Sequence, residues 1–300
     1  MRTASHHDSR FSAVRERVAD YVALTKPRLT LLALFTTLAG FCVGAGDPFD
    51  VVLLVHVLAG TALLGAGVAA LNHYLERRAD ARMPRTAGRP LPAGRMRPIE
   101  AMVFGALLCL AGIVYLNMAA NRLTAVLAVL IVAVYLAVYV PLKRKTPWCT
   151  LVGAIPGALP PVMGYTAATH TIDAGAVILF AILFLWQMPH FFAIAMIYRE
   201  DYRAAGMRML PVVDGDGRRT ARQILLTSLG LLVVTLWPTF SGIAGLSYLS
   251  AALLLGFIFG AFAFEAAVVY TPVAARRLFL ASVLYLPSIL AVMVWDRVPV

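Results

Sequence analysis

Nine stretches of this chain are each long and apolar enough to cross about 30 Å of hydrocarbon, which takes roughly 20 helical residues. They lie near 29–46, 51–71, 99–117, 123–140, 149–168, 174–197, 224–241, 246–268 and 278–295. None alternates polar and apolar residues as an outer-membrane barrel strand does, and a helix satisfies its own backbone groups in lipid. The predicted fold class is therefore all-α, a polytopic membrane protein with nine transmembrane helices. Composition agrees: 61% of the 300 residues are hydrophobic and 14% charged, against about 45–50% and about 25% in soluble domains.

The net charge of +11 is informative through its distribution, because basic residues collect in cytoplasmic loops. With the N-terminus in the cytoplasm, all of the Lys and Arg except Arg122 and Arg297 fall before span 1 or in 72–98, 141–148, 198–223 and 269–277. No nucleic-acid partner is needed to explain the charge; the partner is the lipid bilayer. The first 28 residues are polar and contain no apolar core or cleavage site of a secretory signal. Their acidic residues argue against a transit peptide, and the short N-terminus favours a bacterial plasma (inner) membrane. Cys42, Cys109 and Cys149 have neither metal-ligand spacing nor an even-numbered framework and are expected as free packing residues. No repeat or internal boundary is evident, so residues 1–300 are expected to form one domain: a polar 1–28 segment, the nine spans, and two cap loops at 72–98 and 198–223.

Chemistry concentrates where span 2 gives way to charge. Asn72, Glu76 and Asp80 are spaced i, i+4, i+8, which on a helix makes one stripe of oxygen-bearing side chains climbing about 12 Å. Such a stripe suits Mg²⁺, which takes one or two carboxylates and fills its other positions with water and phosphate oxygens. A helix leaving the membrane also becomes charged for solubility alone, with its carboxylates paired to Arg77 or Arg82. The turn-rich segment that follows presents Arg85 and Arg89, whose planar guanidinium groups match phosphate oxygens. Lys143-Arg144-Lys145 follows span 4, and Lys26-Pro27-Arg28 opens span 1; each alone reads as a topology anchor. Span 6 ends in Tyr198-Arg199-Glu200-Asp201-Tyr202, a second acidic helix end. Eleven residues before Asp201, His190 would lie on nearly the same face of an undistorted helix, about 16 Å deeper. Polar groups at that depth usually face a cavity; the alternative is a histidine satisfying a carbonyl freed near Pro189. His56, Asn117 and Glu265 are expected in helix packing or at helix ends.

The stretch Asn72-x-x-x-Glu76-x-x-x-Asp80-x-x-Met83-x-Arg85-Thr86, followed by Arg89-Pro90, resembles the first acidic motif of the UbiA superfamily of intramembrane prenyltransferases. Leu24-Thr25-Lys26-Pro27-Arg28, the Tyr139-to-Trp148 stretch, Gly157-Ala158-Leu159-Pro160-Pro161, Trp186-Gln187-Met188-Pro189-His190-Phe191 and Tyr198-Arg199-Glu200-Asp201-Tyr202 resemble the branch that farnesylates protoheme IX. The resemblance runs from about residue 21 to 295. It implies nine helices around a lipid-open central cavity capped by cytoplasmic loops. It also implies transfer of farnesyl from farnesyl diphosphate to a protoheme vinyl group, assisted by Mg²⁺, and leaves room for a heme A pathway partner. Two departures stand out: Glu76 replaces the superfamily's usual Asp, and Ala205 stands where a second Asp-x-x-x-Asp motif would end. On this resemblance Asp80 and Asp201 are the principal metal carboxylates, Glu76 assists, and Asn72 orients them. Arg85, Arg89, Lys143 and Arg144 clamp diphosphate, Lys26 and Arg28 meet diphosphate or a heme propionate, and His190 orients the porphyrin or accepts a proton. The nearest rival is prenylation of an aromatic acid or quinone precursor; the rival from another class is a transporter, which the nearly uncharged outer half argues against.

Overall fold

The computed structural model describes residues 3–298, and among these there is no β-sheet. The chain runs through α1 (Thr3–Leu24), α2 (Pro27–Gly44), α3 (Val51–Asp80), α4 (Pro84–Ala87), α5 (Pro98–Ala119), α6 (Arg122–Val132), a π-helical segment (Ala133–Tyr139) and α7 (Val140–Leu142). It continues through α8 (Cys149–Thr169), α9 (Ala174–Ile197), α10 (Arg199–Ala204), α11 (Leu210–Val213), α12 (Arg218–Phe240), α13 (Leu246–Val269) and α14 (Pro272–Trp295). Nine of the described helical runs are long and apolar enough to cross a membrane, with α6, the π segment and α7 forming one of them. Their order matches the nine predicted spans.

Local chemistry sets the helix ends. Prolines open α2, α4, α5 and α14, where a missing N–H costs nothing. The carboxylate of Asp50 and the amide oxygen of Asn121 accept from the Leu53 and Thr124 backbone N–H groups at the starts of α3 and α6. Several boundaries differ from the sequence reading. Residues 72–80 continue α3, as the helical stripe requires, so the cap loop expected from 72 begins after Asp80; residues 218–223 belong to α12, and 272–277 belong to α14.

Small residues let the helices approach closely. A Cβ at Gly164 would lie 1.9 Å from the Thr37 carbonyl oxygen, and one at Gly40 1.9 Å from that of Pro161, so α2 and α8 meet backbone to backbone. Gly67, Gly105 and Gly112 make the α3–α5 contact in the same way. One apolar core joins α9, α12, α13 and α14; a second joins α3, α5, α6 and α8. Leu and Phe side chains such as Leu107, Leu229, Phe257 and Leu284 are exposed around the outside, the surface that lipid chains cover. His56 packs on Tyr115 through Nδ1 (2.7 Å), Glu265 pairs with Arg277 (2.5 Å), Asn117 is exposed near the end of α5, and the three cysteines are free. Replacing Gly164 by Ala is expected to destabilise the protein by roughly 1–3 kcal/mol or more through overpacking. Gly260→Ala, where nothing lies within 4 Å, is expected to leave the melting temperature unchanged or raise it; thermal unfolding of the detergent-solubilised protein checks both.

Candidate active site

The end of α3, the α4 turn, α7 and α10 meet at one mouth. Asn72, Glu76 and Asp80 are all buried, as the helical stripe predicted. None uses a sequence neighbour as its counter-ion. Glu76 pairs with Lys143, whose Nζ lies 2.9 and 3.1 Å from its two carboxylate oxygens, and accepts from the Asn72 side-chain amide at 2.8 Å. The oxygen of that amide accepts from Lys26 Nζ at 2.6 Å. Asp80 pairs with Arg89 at 2.7 Å. Arg77 turns back to the Tyr74 carbonyl and ring, so the solubility reading of the stripe does not describe its partners.

The α4 turn links the two acidic ends. Thr86 Oγ1 donates to the Asp80 carbonyl at 2.8 Å, while Arg85 Nε lies 3.4 Å from the Asp201 carboxylate and its guanidinium packs against the Tyr198 and Tyr202 rings. The Arg208 backbone N–H donates to the Lys143 carbonyl at 2.7 Å, tying the segment after α10 to α7. Two acidic helix ends more than a hundred residues apart in sequence are thus held at one place by cations. Arg28 and Arg144 are exposed and make no side-chain hydrogen bond or ion pair among the described residues, so the structure does not bring them into this lattice.

Charge is tuned accordingly. Lys26 takes a left-handed backbone conformation (φ 46°) just before Pro27, one that side chains other than glycine's rarely adopt, and this aims its ammonium at Asn72. Burial, with repulsion from Arg89, pulls its pKa down to about 8. Burial also works against the Lys143 charge, but Tyr139, whose ring face lies 4.5 Å from Nζ, and the Glu76 carboxylate outweigh it and hold its pKa well above the ordinary lysine value. An arriving polyanion would oppose both burial penalties.

Beneath the mouth lies a partly open cavity of about 320 Å³ between α2, α3, the π segment, α8 and α9. Its wall is apolar and aromatic, with Tyr135, Tyr139, Trp186 and Phe191, and Lys26 is its one charged lining residue. Tyr135 and Tyr139 come from the π segment, which sequence patterning read as ordinary helix. Pro141 has no N–H to give the Ala137 carbonyl, and the wider turn before it swings these rings together, centroids 5.2 Å apart. Gly153 and Gly157 clear space for the Tyr139 ring and the Gln187 amide.

His190 lines this cavity. Its Nδ1 is 2.7 Å from Ser282 Oγ on α14, so it does not serve a carbonyl freed by Pro189. The expected straight alignment with Asp201 is corrected: α9 ends at Ile197, Tyr198 leaves the helical conformation, and α10 begins anew. The break lets Asp201 turn toward Arg85. Sequence reasoning assigned no role to Tyr135, Tyr139, Tyr198, Tyr202, Thr86 or Ser282; for the tyrosines, spacing of four residues at a mouth rich in cations was the available signal.

Whether Mg²⁺ fits can be judged from the donors. Among the described residues no three His, Cys, Asp or Glu side chains gather round one point, so a closed protein cage is absent. Two carboxylate arms with oxygen donors alone fit a hard ion that keeps waters and completes its shell with phosphate oxygens.

Among the described residues, nine apolar membrane-length helices surround an apolar cavity under a mouth of carboxylates, arginines and lysines, an arrangement whose chemistry suits a lipid-tailed polyanion. Residues 33–289 match the UbiA prenyltransferase family, and the chain belongs to that family. It is 47% identical over 287 residues to the protoheme IX farnesyltransferase of Solibacter usitatus (strain Ellin6076), covering 93% of this chain and 98% of the relative. The fold is similar to that of a solved digeranylgeranylglyceryl phosphate synthase (TM-score 0.78, 17% identity, 94% and 98% of the two chains). It is also similar to that of a UbiA homolog from Archaeoglobus fulgidus bound to GPP and Mg²⁺ (TM-score 0.62, 16% identity, 91% and 99% coverage).

Because the Lys143–Glu76 pair is nearly enclosed, with side chains 12% and 10% exposed, Lys143→Met alone is expected to cost about 3–5 kcal/mol of stability. Adding Glu76→Gln to it should restore most of that loss, which thermal unfolding of the single and double variants will measure.

Proposed function

We propose that this protein transfers the farnesyl group of farnesyl diphosphate to a vinyl group of protoheme IX, with addition of water, giving heme O and diphosphate. The observation that carries the reading is the convergence of Asp80, Asp201 and Glu76 with Lys26, Arg85, Arg89 and Lys143 directly above an apolar, aromatic-walled cavity. The name of the Solibacter relative supplies the substrate pair. On this reading residues 1–300 act as a single prenyltransferase domain in a bacterial plasma membrane, with the mouth facing the cytoplasm. A later enzyme of the heme A pathway is the expected partner.

The difficult step is breaking the allylic C1–O bond, whose electron pair leaves with the diphosphate. Preorganised positive charge where the negative charge develops is the most effective aid to such a step. Lys26, Lys143, Arg85 and Arg89 provide it, exchanging their present carboxylate and amide partners for phosphate oxygens; Arg28 and Arg144 stay outside this clamp. Asp80 and Asp201 would hold Mg²⁺, with Glu76 assisting and Asn72 orienting Glu76. When bound, the ion supplies charge neutralisation to the departing oxygens. The farnesyl tail lies along the cavity wall. A vinyl carbon of the porphyrin then bonds to C1, and water adds to the cation left beside the ring and loses a proton. Catalysis needs no protein nucleophile; the chain binds, orients and excludes bulk water. His190 faces the porphyrin.

In membranes given protoheme, farnesyl diphosphate and Mg²⁺, Asp80→Ala at matched protein level is expected to lower heme O formation by on the order of 10²-fold or more. Undiminished formation would remove Asp80 from the machinery. The mass of the porphyrin made by the wild-type protein decides between heme O and the prenylated aromatic acid or quinone precursor of a sister activity.

A further inference from the structure

We propose that Ser282 holds His190 as the Nδ1–H tautomer, so that the ring presents an unprotonated Nε2 to the cavity as an axial ligand for the iron of a metalloporphyrin. This rests on the porphyrin reading above and goes further, because it assigns the atom that holds the substrate's metal.

The tautomer follows from counting hydrogens. Ser282 Oγ lies 2.5 Å from the Phe279 carbonyl oxygen, a separation two oxygens tolerate only with a proton between them. A serine hydroxyl has one hydrogen to give, so toward His190, 2.7 Å away, the same oxygen must accept. The proton therefore sits on Nδ1. Nε2 has no partner among the described residues and is not one of the fully enclosed unpartnered atoms, while the residue lines the cavity. The ring plane is fixed as well. Trp186 stacks on it at 4.9 Å, Phe279 flanks it at 5.1 Å, and the Trp186 indole N–H donates to the Ser282 carbonyl at 2.8 Å. A histidine whose second nitrogen donates to a fixed acceptor is the arrangement found around protein-bound metals.

The cavity also distinguishes a ligand from a base. A base would become an imidazolium, yet no carboxylate lines the cavity and Lys26, its one charged lining residue, is a cation. An unpaired charge in apolar surroundings is costly. Donation of the Nε2 lone pair to iron leaves the ring neutral and moves no proton. His190 lies seven residues before the end of α9, about 10 Å below it, so a porphyrin anchored there can reach toward the mouth with its edge.

The test titrates purified full-length protein in lipid nanodiscs with ferric protoheme, without farnesyl diphosphate, and records the Soret band and the ferric paramagnetic resonance spectrum. The wild type is expected to show imidazole-ligated iron. His190→Ala should lose that signature and regain it on addition of free imidazole, which also reports that the variant is folded. Ser282→Ala should weaken heme binding about tenfold and give a mixed spectrum, with Ser282→Thr restoring both. A His190→Ala spectrum identical to wild type, in protein that still makes heme O, would overturn the ligand assignment and leave the proposed function standing. Protein that neither binds protoheme nor prenylates it would overturn both.

Discussion

Charges placed at the edge of a bilayer must be paired, and in this molecule two of the three pairs at the mouth join distant parts of the chain. Glu76 reaches Lys143, Asp80 reaches Arg89, and Asp201 reaches Arg85. Arg85 on α4 meets Asp201 on α10, while Arg89 and Lys143 reach α3 from the segments just after α4 and α7. Removing one partner would leave a charge with little water to turn to, so the lattice fixes where α3, the α4 turn, α7 and α10 stand relative to one another. A diphosphate with a divalent ion offers each cation an anion and each carboxylate a cation. On the proposed function, binding would exchange one set of pairs for another, with few charges left bare.

The apolar helices beneath serve this arrangement. Backbone-close contacts through Gly40 and Gly164 join α2 to α8, and those through Gly67 and Gly105 join α3 to α5; between the two apolar cores remains space that α8, rich in glycine and proline, does not fill. The π segment sends Tyr135 and Tyr139 into that space, and Tyr139 also supports Lys143 from below. One aromatic side chain thus belongs both to the cavity wall and to the charged mouth. Trp186, His190 and Ser282 form the corresponding fixed cluster on the α9–α14 side.

Much of this was legible in the sequence. The nine spans, the stripe Asn72-Glu76-Asp80, the second acidic end at Asp201 and the loop arginines all follow from hydropathy, helical spacing and charge. Partner choice was not legible, because an ion pair between residues 76 and 143 depends on tertiary placement that periodicity cannot encode. Arg28 and Arg144 show the converse: they sit beside Lys26 and Lys143 in sequence, but helical geometry turns adjacent side chains about 100° apart, and both remain exposed. The π turn and the break at Tyr198 escaped for a related reason. Both are local departures from a regular helix, and apolar patterning in lipid carries little trace of them.

The central claim is that Asp80 and Asp201 act as two arms of one metal-diphosphate site. A double-mutant cycle on Mg²⁺-dependent binding of farnesyl thiodiphosphate, comparing Asp80→Asn, Asp201→Asn and the combination, measures it directly. The account predicts strong non-additivity, the second substitution costing little once the first has been made, since residues sharing one ligand network couple. Losses that simply add, or binding indifferent to Mg²⁺, would contradict it.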